Sequence, residues 1–312
     1  MEKILYPLEW LVAWLMYFWH GLLTTVGLHE GAGTAWVLSI VGLTITIRVI
    51  LIPLFVRQIH ASRGMQLVQP EIKAIQAKYK NKKDPASREA MSRETMAAYR
   101  KHGTNPFASC MPLLLQAPIF FALFRVLNNV KKISEGTHDP IGPITHDVAA
   151  QIEQSQLFGA KLSETFVHST DSTVKIVVAV LILAMAATQF FTQRQLTMKN
   201  MPPAALEGPM AQTQKLMMYG MPVIMAISGV NFPVGVLIYW TVTNLWSSGQ
   251  QFYTIRRIPT PGSEAERRRN ERQAAKAAAK GIVLDSDVPK VIERPTGQRA
   301  QPQRKNRRKP KR

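Results

Sequence analysis

Cysteine, acidic residues and several functional motifs are scarce or missing in this sequence. The 312 residues include one cysteine, Cys110, so no disulfide can form within the chain. Acidic residues number 20 against 39 lysines and arginines, and none lies in 31–70, 105–128, 173–193 or 208–263. There is no histidine pair at metal-binding spacing, no P-loop and no dinucleotide fingerprint. We therefore predict no metal, no cofactor and no enzymatic activity.

The formal net charge of +19 is concentrated in two parts of the chain. Residues 57–104 contain 11 lysines and arginines and residues 256–312 contain 18, whereas 129–172 contain three against six acids. Such segregation of charged from apolar residues is typical of a membrane protein. Because positively charged segments stay on the cytoplasmic side, the first two regions are predicted to be cytoplasmic and the third external.

Five apolar stretches have about the length that a membrane-crossing helix needs. The charge distribution requires the first span to run from outside to inside. The direction of the following spans then alternates. The predicted fold is an all-α integral membrane protein with a five-span helical bundle over 34–257. The predicted spans are about 34–56, 105–128, 173–193, 216–230 and 232–253, with an external loop at 129–172.

Residues 1–33 are predicted to contain an extracytoplasmic amphipathic helix that lies in the membrane interface. Glu2, Glu9 and His20 share one side of this helix, and large apolar residues share the other. The apolar residues are Ile4, Leu8, Leu11, Leu15, Phe18 and Leu22. A further span is the alternative, with Glu9 as the main objection. A signal peptide is disfavoured because the first residues are not basic and no small-residue cleavage site follows.

Residues 58–103 are predicted to form a cytoplasmic helical hairpin with a basic surface and a narrow apolar seam. The break between its helices falls at the sequence NKKDP, residues 81–85. The predicted seam comprises Val68, Ile72, Ile75 and Tyr79 on the first helix and Met91, Thr95, Ala98 and His102 on the second.

Residues 258–312 are predicted to be a basic, largely disordered cytoplasmic tail. Ser263 and Glu266 fit a capping box at the start of a charged helix over about 263–280. The charge of the tail suits ribosomal RNA, through release of counter-ions, and anionic lipid is the alternative partner. The residues predicted to make these contacts are Arg267, Arg268, Arg269, Arg307 and Arg308.

Arg48 interrupts the otherwise apolar sequence LTITIRVILIPL at 43–54. It lies nine residues before Arg57, the predicted cytoplasmic boundary, which places it roughly 13 Å away along a helix. No predicted span contains a carboxylate that could pair with it. A dry, unpaired arginine is costly in a membrane. We therefore predict a hydrated groove around Arg48.

Polar side chains of other spans are predicted to line this groove. They are Thr44 in the first span, Gln116 in the second, Gln189 and Gln193 in the third, and Trp240 and Asn244 in the fifth. The alternative interpretation is that these residues only hydrogen-bond neighbouring helices to one another. Arg125 and Lys175, at outer ends of spans, are predicted to snorkel.

Methionine is concentrated between Met198 and Met225, where seven of the 14 methionines lie. Flexible thioether side chains suit surfaces that bind varied apolar partners. The alternative is that these methionines are ordinary apolar residues that face lipid. The residues predicted to receive substrate, on the hairpin and this Met-rich surface, are Met65, Met91, Met217, Met218 and Met221.

Four segments together resemble a known family. They are TIRVILIPLFVRQ, LVQPEIKAIQAKYK, YRKHGTNPFASCMPLLLQAPIFFALFRVL and GVLIYWTVTNLWSSGQQF. Their order and spacing are similar to those of YidC-type membrane protein insertases of the YidC/Oxa/Alb superfamily. The resemblance covers about residues 6–257 and suggests a short form without a large periplasmic domain.

The resemblance implies five core spans around a groove that opens to the cytoplasm and to lipid. It implies groove contacts at Arg48 and Trp240, and at Gln189 or the nearby Gln193. The hairpin would receive substrate. Implied partners are nascent membrane proteins, the ribosome, the Sec translocon and anionic lipids, with no small-molecule substrate. The expected location is the cell membrane of a bacterium, as a multi-pass protein with a cytoplasmic C-terminal tail.

Other functions explain fewer of these features. An anion-binding transporter with Arg48 as its site is the main alternative, although the sequence shows no internal repeat. A serine protease acting within the membrane is disfavoured because no histidine follows His168 to serve as the base. A purely structural scaffold leaves the unpaired Arg48 unexplained.

Overall fold

The structure is a computed structural model that describes residues 2–28, 33–82, 84–105, 111–201, 212 and 214–280. About 78% of these residues are helical, which confirms the all-α prediction apart from one minimal β-hairpin. The helices are α1 (Glu2–Thr25), α2 (Gly33–Ile50), α3 (Ile52–Tyr79), α4 (Pro85–Lys101), α5 (Met111–Ser134), α6 (His146–Gln154), α7 (Ser172–Asn200), α8 (Met221–Gly229), α9 (Val234–Arg257) and α10 (Glu264–Ala278). Strands β1 (Gln156–Leu157) and β2 (Ala160–Lys161) are antiparallel, and a π-helical turn, Leu216–Gly220, leads into α8.

The chain divides into two compact units, residues 1–269 and 270–312. Within the second unit the described residues are 270–280, which are helical as far as Ala278. The helices and strands before α10 belong to the first unit. The distal tail, including Arg307 and Arg308, lies outside the described residues.

Two described helices, α2 and α7, are both long and apolar enough to cross a membrane. The π-helical turn and α8 form a shorter apolar segment, Leu216–Gly229. Within the described residues, α5 and α9 are not among these two helices. The five-span arrangement therefore stays a prediction.

Helix α9 lies at the centre of the first unit, where it packs against α2, α5 and α7. Its first residues are fully buried among apolar side chains of these helices. A methyl group at Gly235 would come within 2.9 Å of Leu127 in α5 and 3.2 Å of Ile40 in α2. Glycine at this position therefore allows α2, α5 and α9 to approach one another closely.

The segment between α5 and α7, predicted as an external loop, is structured and covers the start of α9. Its apolar side chains, including Ile144, Ile152 and Leu162, are fully buried in the core. The carbonyls of Glu164 and Leu162 accept hydrogen bonds of 2.9 Å from the backbone N–H groups of Val234 and Gly235. These N–H groups have no partner within their own helix. The segment thus closes this end of the bundle.

Helix α1 has the predicted two-sided pattern, and its polar side faces the protein. Glu9 and His20 are buried against α5 and α2, whereas Leu11, Phe18 and Leu22 are exposed. His20 stacks on Trp36 of α2 with ring centroids 4.0 Å apart. Helix α1 therefore docks on the bundle through the buried apolar residues Val12, Ala13 and Met16 as well as through polar and aromatic contacts, and it presents other apolar residues outward. Its placement in the membrane interface stays a prediction.

Arg125, which is predicted to snorkel, pairs with an acidic residue of α1. Its Nε atom lies 2.8 Å from Oε1 of Glu9, and only about a quarter of the side chain is exposed. Because the predicted spans contain no carboxylate, the sequence did not indicate this pair. Snorkelling of Arg125 stays a prediction.

The first predicted span is interrupted at Leu51, which separates α2 from α3. Pro53 lies in the first turn of α3, where its missing N–H leaves no gap in the hydrogen bonding of that helix. Hydrogen bonds of 3.0 Å from Leu51 N to Ile47 O and from Phe55 N to Leu51 O continue across the break. Helical hydrogen bonding therefore continues from α2 into α3 despite the break at Leu51.

Helices α3 and α4 form an antiparallel hairpin with a small apolar seam. Val68 and Ile72 of α3 pack with Ala98 and Tyr99 of α4. The predicted seam residue His102 is instead exposed, and its Nε2 lies 2.7 Å from Oε2 of Glu71. The α4 helix ends at Lys101, so His102 has left the helical face that the spacing assumed.

Helix α10 begins with a variant of the predicted capping box. Ser263 Oγ accepts a 3.2 Å hydrogen bond from Glu266 N, as expected of an N-cap. The Glu266 carboxylate accepts from Gly262 N at 2.7 Å, one residue before the usual position. Asn200 at the end of α7 accepts a 3.0 Å hydrogen bond from Thr260 N, which holds the approach to α10 against α7.

Candidate functional site

Arg48 is buried near the end of α2, with 6% of its surface exposed. Its guanidinium carbon lies 5.4 Å from the ring centre of Phe55, one turn into α3. The Tyr239 hydroxyl of α9 is close enough to interact with it electrostatically. Among the residues that the structure describes, none offers Arg48 a carboxylate within ion-pair distance. The Arg48 cation therefore lies near the ring of Phe55 and the phenol of Tyr239, and it has no counter-charge in the described bundle.

Thr44 and Gln116, both predicted groove residues, differ in their surroundings. Thr44 is fully buried, and its hydroxyl donates a 2.7 Å hydrogen bond to Ile40 O in its own helix. Gln116 of α5 donates from Nε2 to the Tyr239 hydroxyl. This bond joins α5 to α9 beside Arg48. Gln116 is thus close to the arginine, whereas Thr44 directs its hydroxyl to the backbone.

Trp240, a predicted groove residue, belongs to an aromatic cluster. Its ring centre lies 4.8 Å from that of Phe120 and 5.6 Å from that of Phe232. Phe124 also contacts Phe232 and extends the cluster along α5. A role for Trp240 in a groove stays a prediction.

Asn244 supports the alternative interpretation, in which polar side chains join helices. It is 7% exposed, and its amide donates a 3.3 Å hydrogen bond to the backbone carbonyl of Met185 in α7. Thr192 of α7 and Ser248 of α9 share a second hydrogen bond along the same contact. Gln189 and Gln193, also on α7, are half-buried. Part of the predicted lining therefore serves the α7–α9 contact.

The predicted Met-rich surface is only partly exposed. Met217 is about half exposed, while Met65, Met91 and Met221 are half-buried. The placement of Met218 on this surface is wrong, because it is 7% exposed. Met218 lies within the π-helical turn at Leu216–Gly220.

The tail arginines within the described residues lie in the first turns of α10. Arg267 and Arg268 are exposed and Arg269 is half-buried. Arg268 pairs with Glu264 at 2.5 Å, one helical turn earlier. Exposed pairs of this kind contribute little to stability, so the basic face stays available to an anionic partner.

Tyr239 and Gln58 are buried polar residues that were not among the predicted groove residues. Tyr239 of α9 lies beside Arg48 and Gln116. Gln58, ten residues after Arg48, is buried in α3. It directly follows Arg57 in a polar stretch of the sequence, so no local pattern indicated its burial.

Known proteins are similar to this chain over most of its length. The sequence profile of a family described as 60Kd inner membrane protein matches residues 27–261. The chain is 46% identical over 264 residues to the membrane protein insertase YidC of Streptomyces avermitilis. That match covers 82% of this chain and 59% of the relative, so the chain spans less than two thirds of that protein.

Two further relatives are covered almost completely. The membrane protein insertase YidC of Tropheryma whipplei (strain Twist) is 37% identical over 282 residues, which cover 87% of this chain and 90% of the relative. The protein of the same name from Bifidobacterium longum is 34% identical over 287 residues, covering 90% of this chain and 85% of the relative. These matches confirm the resemblance drawn from the four sequence segments.

Proposed function

Because the chain belongs to the 60Kd inner membrane protein family, we propose that it inserts nascent membrane proteins into the bacterial membrane and helps them to fold. Its relatives carry the name of a membrane protein insertase, which agrees with the prediction that the chain is not an enzyme. The chain is an all-α membrane protein. Transport of a small anion is the alternative activity.

The proposed topology has five spans formed by α2, α5, α7, the π-helical turn with α8, and α9. The α3–α4 hairpin and the basic tail lie in the cytoplasm, since both are rich in lysine and arginine. The segment between α5 and α7, with its excess of acids, lies outside. Its burial over the start of α9 supports a groove that is closed on the outer side.

The buried Arg48, which has no acidic partner among the described residues, carries this proposal. Coulomb interactions strengthen as the local dielectric constant falls, so a cation in a membrane groove attracts an acidic segment strongly. A nascent protein that brings a short acidic outer segment supplies the missing counter-charge. Arg48 thereby lowers the free energy of the polar segment during its passage through the membrane.

The remaining steps need no covalent chemistry. Water in the groove shortens the apolar distance that the polar segment has to cross. The following apolar helix leaves sideways into lipid, driven by the transfer of its apolar surface out of water. The cluster of Phe120, Phe124, Phe232 and Trp240 offers that helix an apolar wall inside the bundle.

Insertion into proteoliposomes tests the role of the Arg48 charge. A small single-span substrate with an acidic outer segment should insert with wild-type protein and with Arg48→Lys, and much less with Arg48→Ala. Arg257→Ala removes an exposed arginine of α9 and serves as the control, with little expected loss. Equal insertion by Arg48→Lys and Arg48→Ala would exclude a role for the charge. Uptake of a small anion by the same vesicles, abolished by Arg48→Ala, would favour the transporter.

The basic tail is proposed to bind the ribosome, with anionic lipid as the alternative. Deletion of residues 258–312 should weaken salt-sensitive co-sedimentation with ribosomes. Insertion of a substrate that has already left the ribosome should stay intact. Co-sedimentation that is unchanged at every salt concentration would exclude this role. Crosslinking from position 48 or 240 to ribosome-bound nascent chains, with and without the Sec translocon, tests whether the two act together.

A further inference from the structure

Gln58 has a buried amide that pairs with no other described residue. The residue is 8% exposed, and neither Oε1 nor Nε2 has a hydrogen-bond partner in the part of the chain that the structure describes. Among the side-chain amides that the structure describes, it is the one with both polar atoms buried and unpartnered. Burial of a polar group without a partner opposes folding, so such groups are rare unless a ligand or a changed conformation satisfies them.

Gln58 follows Arg48 by ten residues, on the other side of the break at Leu51. Phe55, whose ring faces the Arg48 guanidinium at 5.4 Å, precedes Gln58 by three residues in α3. Residues three apart in a helix are neighbours on one face. The path from Arg48 toward the hairpin therefore continues through Phe55 to Gln58.

The fold provides a means of uncovering this amide. The break at Leu51 separates Arg48 in α2 from Gln58 in α3, and α3 packs mainly on α4. The hairpin is thus joined to the bundle chiefly through the interrupted helix. We expect that a tilt of α3 at Leu51 would open the surroundings of Gln58 while Arg48 keeps its place.

The chemistry of the amide selects its partner. A glutamine side chain donates from Nε2 and accepts at Oε1, the same pair of functions that a peptide group offers. It carries no charge and therefore does not discriminate between acidic and neutral segments. An apolar helix already satisfies its own peptide groups, whereas an extended polar segment that leaves water does not.

We propose that Gln58 is a substrate-binding residue whose amide pairs with peptide groups of the extended polar segment of an incoming protein. This inference rests on the proposed insertase function. Arg48 then recognises the charge of that segment, and Gln58 recognises its backbone. The two contacts together hold a polar segment of any sequence on the path into the groove.

The variant Gln58→Met tests the proposal because methionine has nearly the same length and shape but no amide. If the amide is unpartnered in the resting protein, its removal should raise the melting temperature in detergent by a few degrees. If it binds substrate, insertion should fall severalfold for a substrate with a long polar outer segment. A substrate without such a segment should insert as before.

Two comparisons separate this role from that of Arg48 and from general damage. The loss with Gln58→Met should be equal for acidic and neutral segments of the same length, whereas the loss with Arg48→Ala should be confined to acidic ones. Gln76→Met changes a half-buried glutamine farther along the same helix and should leave insertion unchanged.

Several outcomes would overturn the inference. A lower melting temperature for Gln58→Met would mean that the amide already has partners, such as bound water, and acts structurally. Insertion that is unaffected for every segment length would exclude a substrate contact while the Arg48 results still supported the insertase. Failure of the wild-type protein to insert any substrate would instead refute the proposed function itself.

Discussion

Glu9 of α1 and Arg125 of α5 form an ion pair in which Oε1 and Nε are 2.8 Å apart. Oε1 lies close to the cation without a well-directed hydrogen bond, so the contact is chiefly one of charge. Ten residues later, Trp19 Nε1 donates a 3.0 Å hydrogen bond to Thr46 of α2. Helix α1 is thus attached to two helices of the bundle by separate polar contacts and bridges them.

Replacing Glu9 by glutamine should destabilise the protein because it leaves the Arg125 charge without this counter-ion. We expect a loss of about 1–3 kcal/mol in the free energy of unfolding, less than the roughly 3–5 kcal/mol typical of a fully buried pair, because Arg125 is a quarter exposed. Thermal unfolding in detergent measures this loss. Arg125→Gln should act in the same direction, and the double variant should lose less than the sum of both. Additive losses would show that the two charges do not interact.

The contact between α1 and α2 should be sensitive to a single methyl group at Gly42. A Cβ atom there would lie 2.7 Å from Cγ of Trp19. It would clash with the indole ring, which covers the glycine. We expect Gly42→Ala to displace α1 and to cost roughly 1–3 kcal/mol, as overpacking usually does. Gly249→Ala in α9 is the control, since nothing lies within 4 Å of its new methyl group. Similar melting temperatures for both variants would contradict the close packing of Trp19.

The main helices follow from local features of the sequence. The apolar stretch at 173–193 lies wholly within α7, and the spacing of Val68 and Ile72 predicted the apolar seam of the hairpin. Such patterns work because burial and helical period act over a few neighbouring residues. Helix ends were less accurate, since α7 continues to Asn200 through a mostly polar sequence.

The partners of polar residues could not be predicted in the same way. Periodicity shows which side chains share a helical face, but it does not show which helix that face meets. Asn244 could therefore equally line a groove or join α9 to α7, and the structure directs it to the carbonyl of Met185. The pairing of Glu9 with Arg125 joins residues more than a hundred positions apart, and no local pattern indicates it.

The α3–α4 hairpin should lose stability as the pH falls into the acidic range. Hydrogen bonds from His102 and then Lys101 lower the pKa of Glu71 from its usual 4.5. A hydrogen bond from Lys78, followed by one from Tyr79, lowers the pKa of Glu94 in the same way. A carboxylate with a lowered pKa in the folded state stabilises it above the unfolded pKa. That contribution is lost as the pH falls below 4.5 and through the lowered values.

Hydrogen-exchange protection factors of α3 and α4, measured in the intact protein at neutral pH and below pH 4, test this dependence. Protection should decrease at the lower pH. The double variant Glu71→Gln/Glu94→Gln should be less protected at neutral pH and should show a flatter pH dependence. Because all these groups are exposed, high salt should also weaken the effect. Protection that depends on pH equally in the wild type and the double variant would exclude these carboxylates as its source.

Water access to single cysteines should distinguish residues that join helices from residues that line a groove. In a Cys110→Ser background, cysteines at 189 and 193 on α7 should react with a water-soluble maleimide from the cytoplasmic side, because both positions are half-buried. Cysteines at 44 and 244 should react slowly, since Thr44 is 1% and Asn244 7% exposed. Slow labelling at all four positions would mean a dry bundle, in which Arg48 could not keep its charge in water. If position 44 alone becomes reactive when a stalled nascent chain is bound, the groove opens around Arg48 only with its substrate.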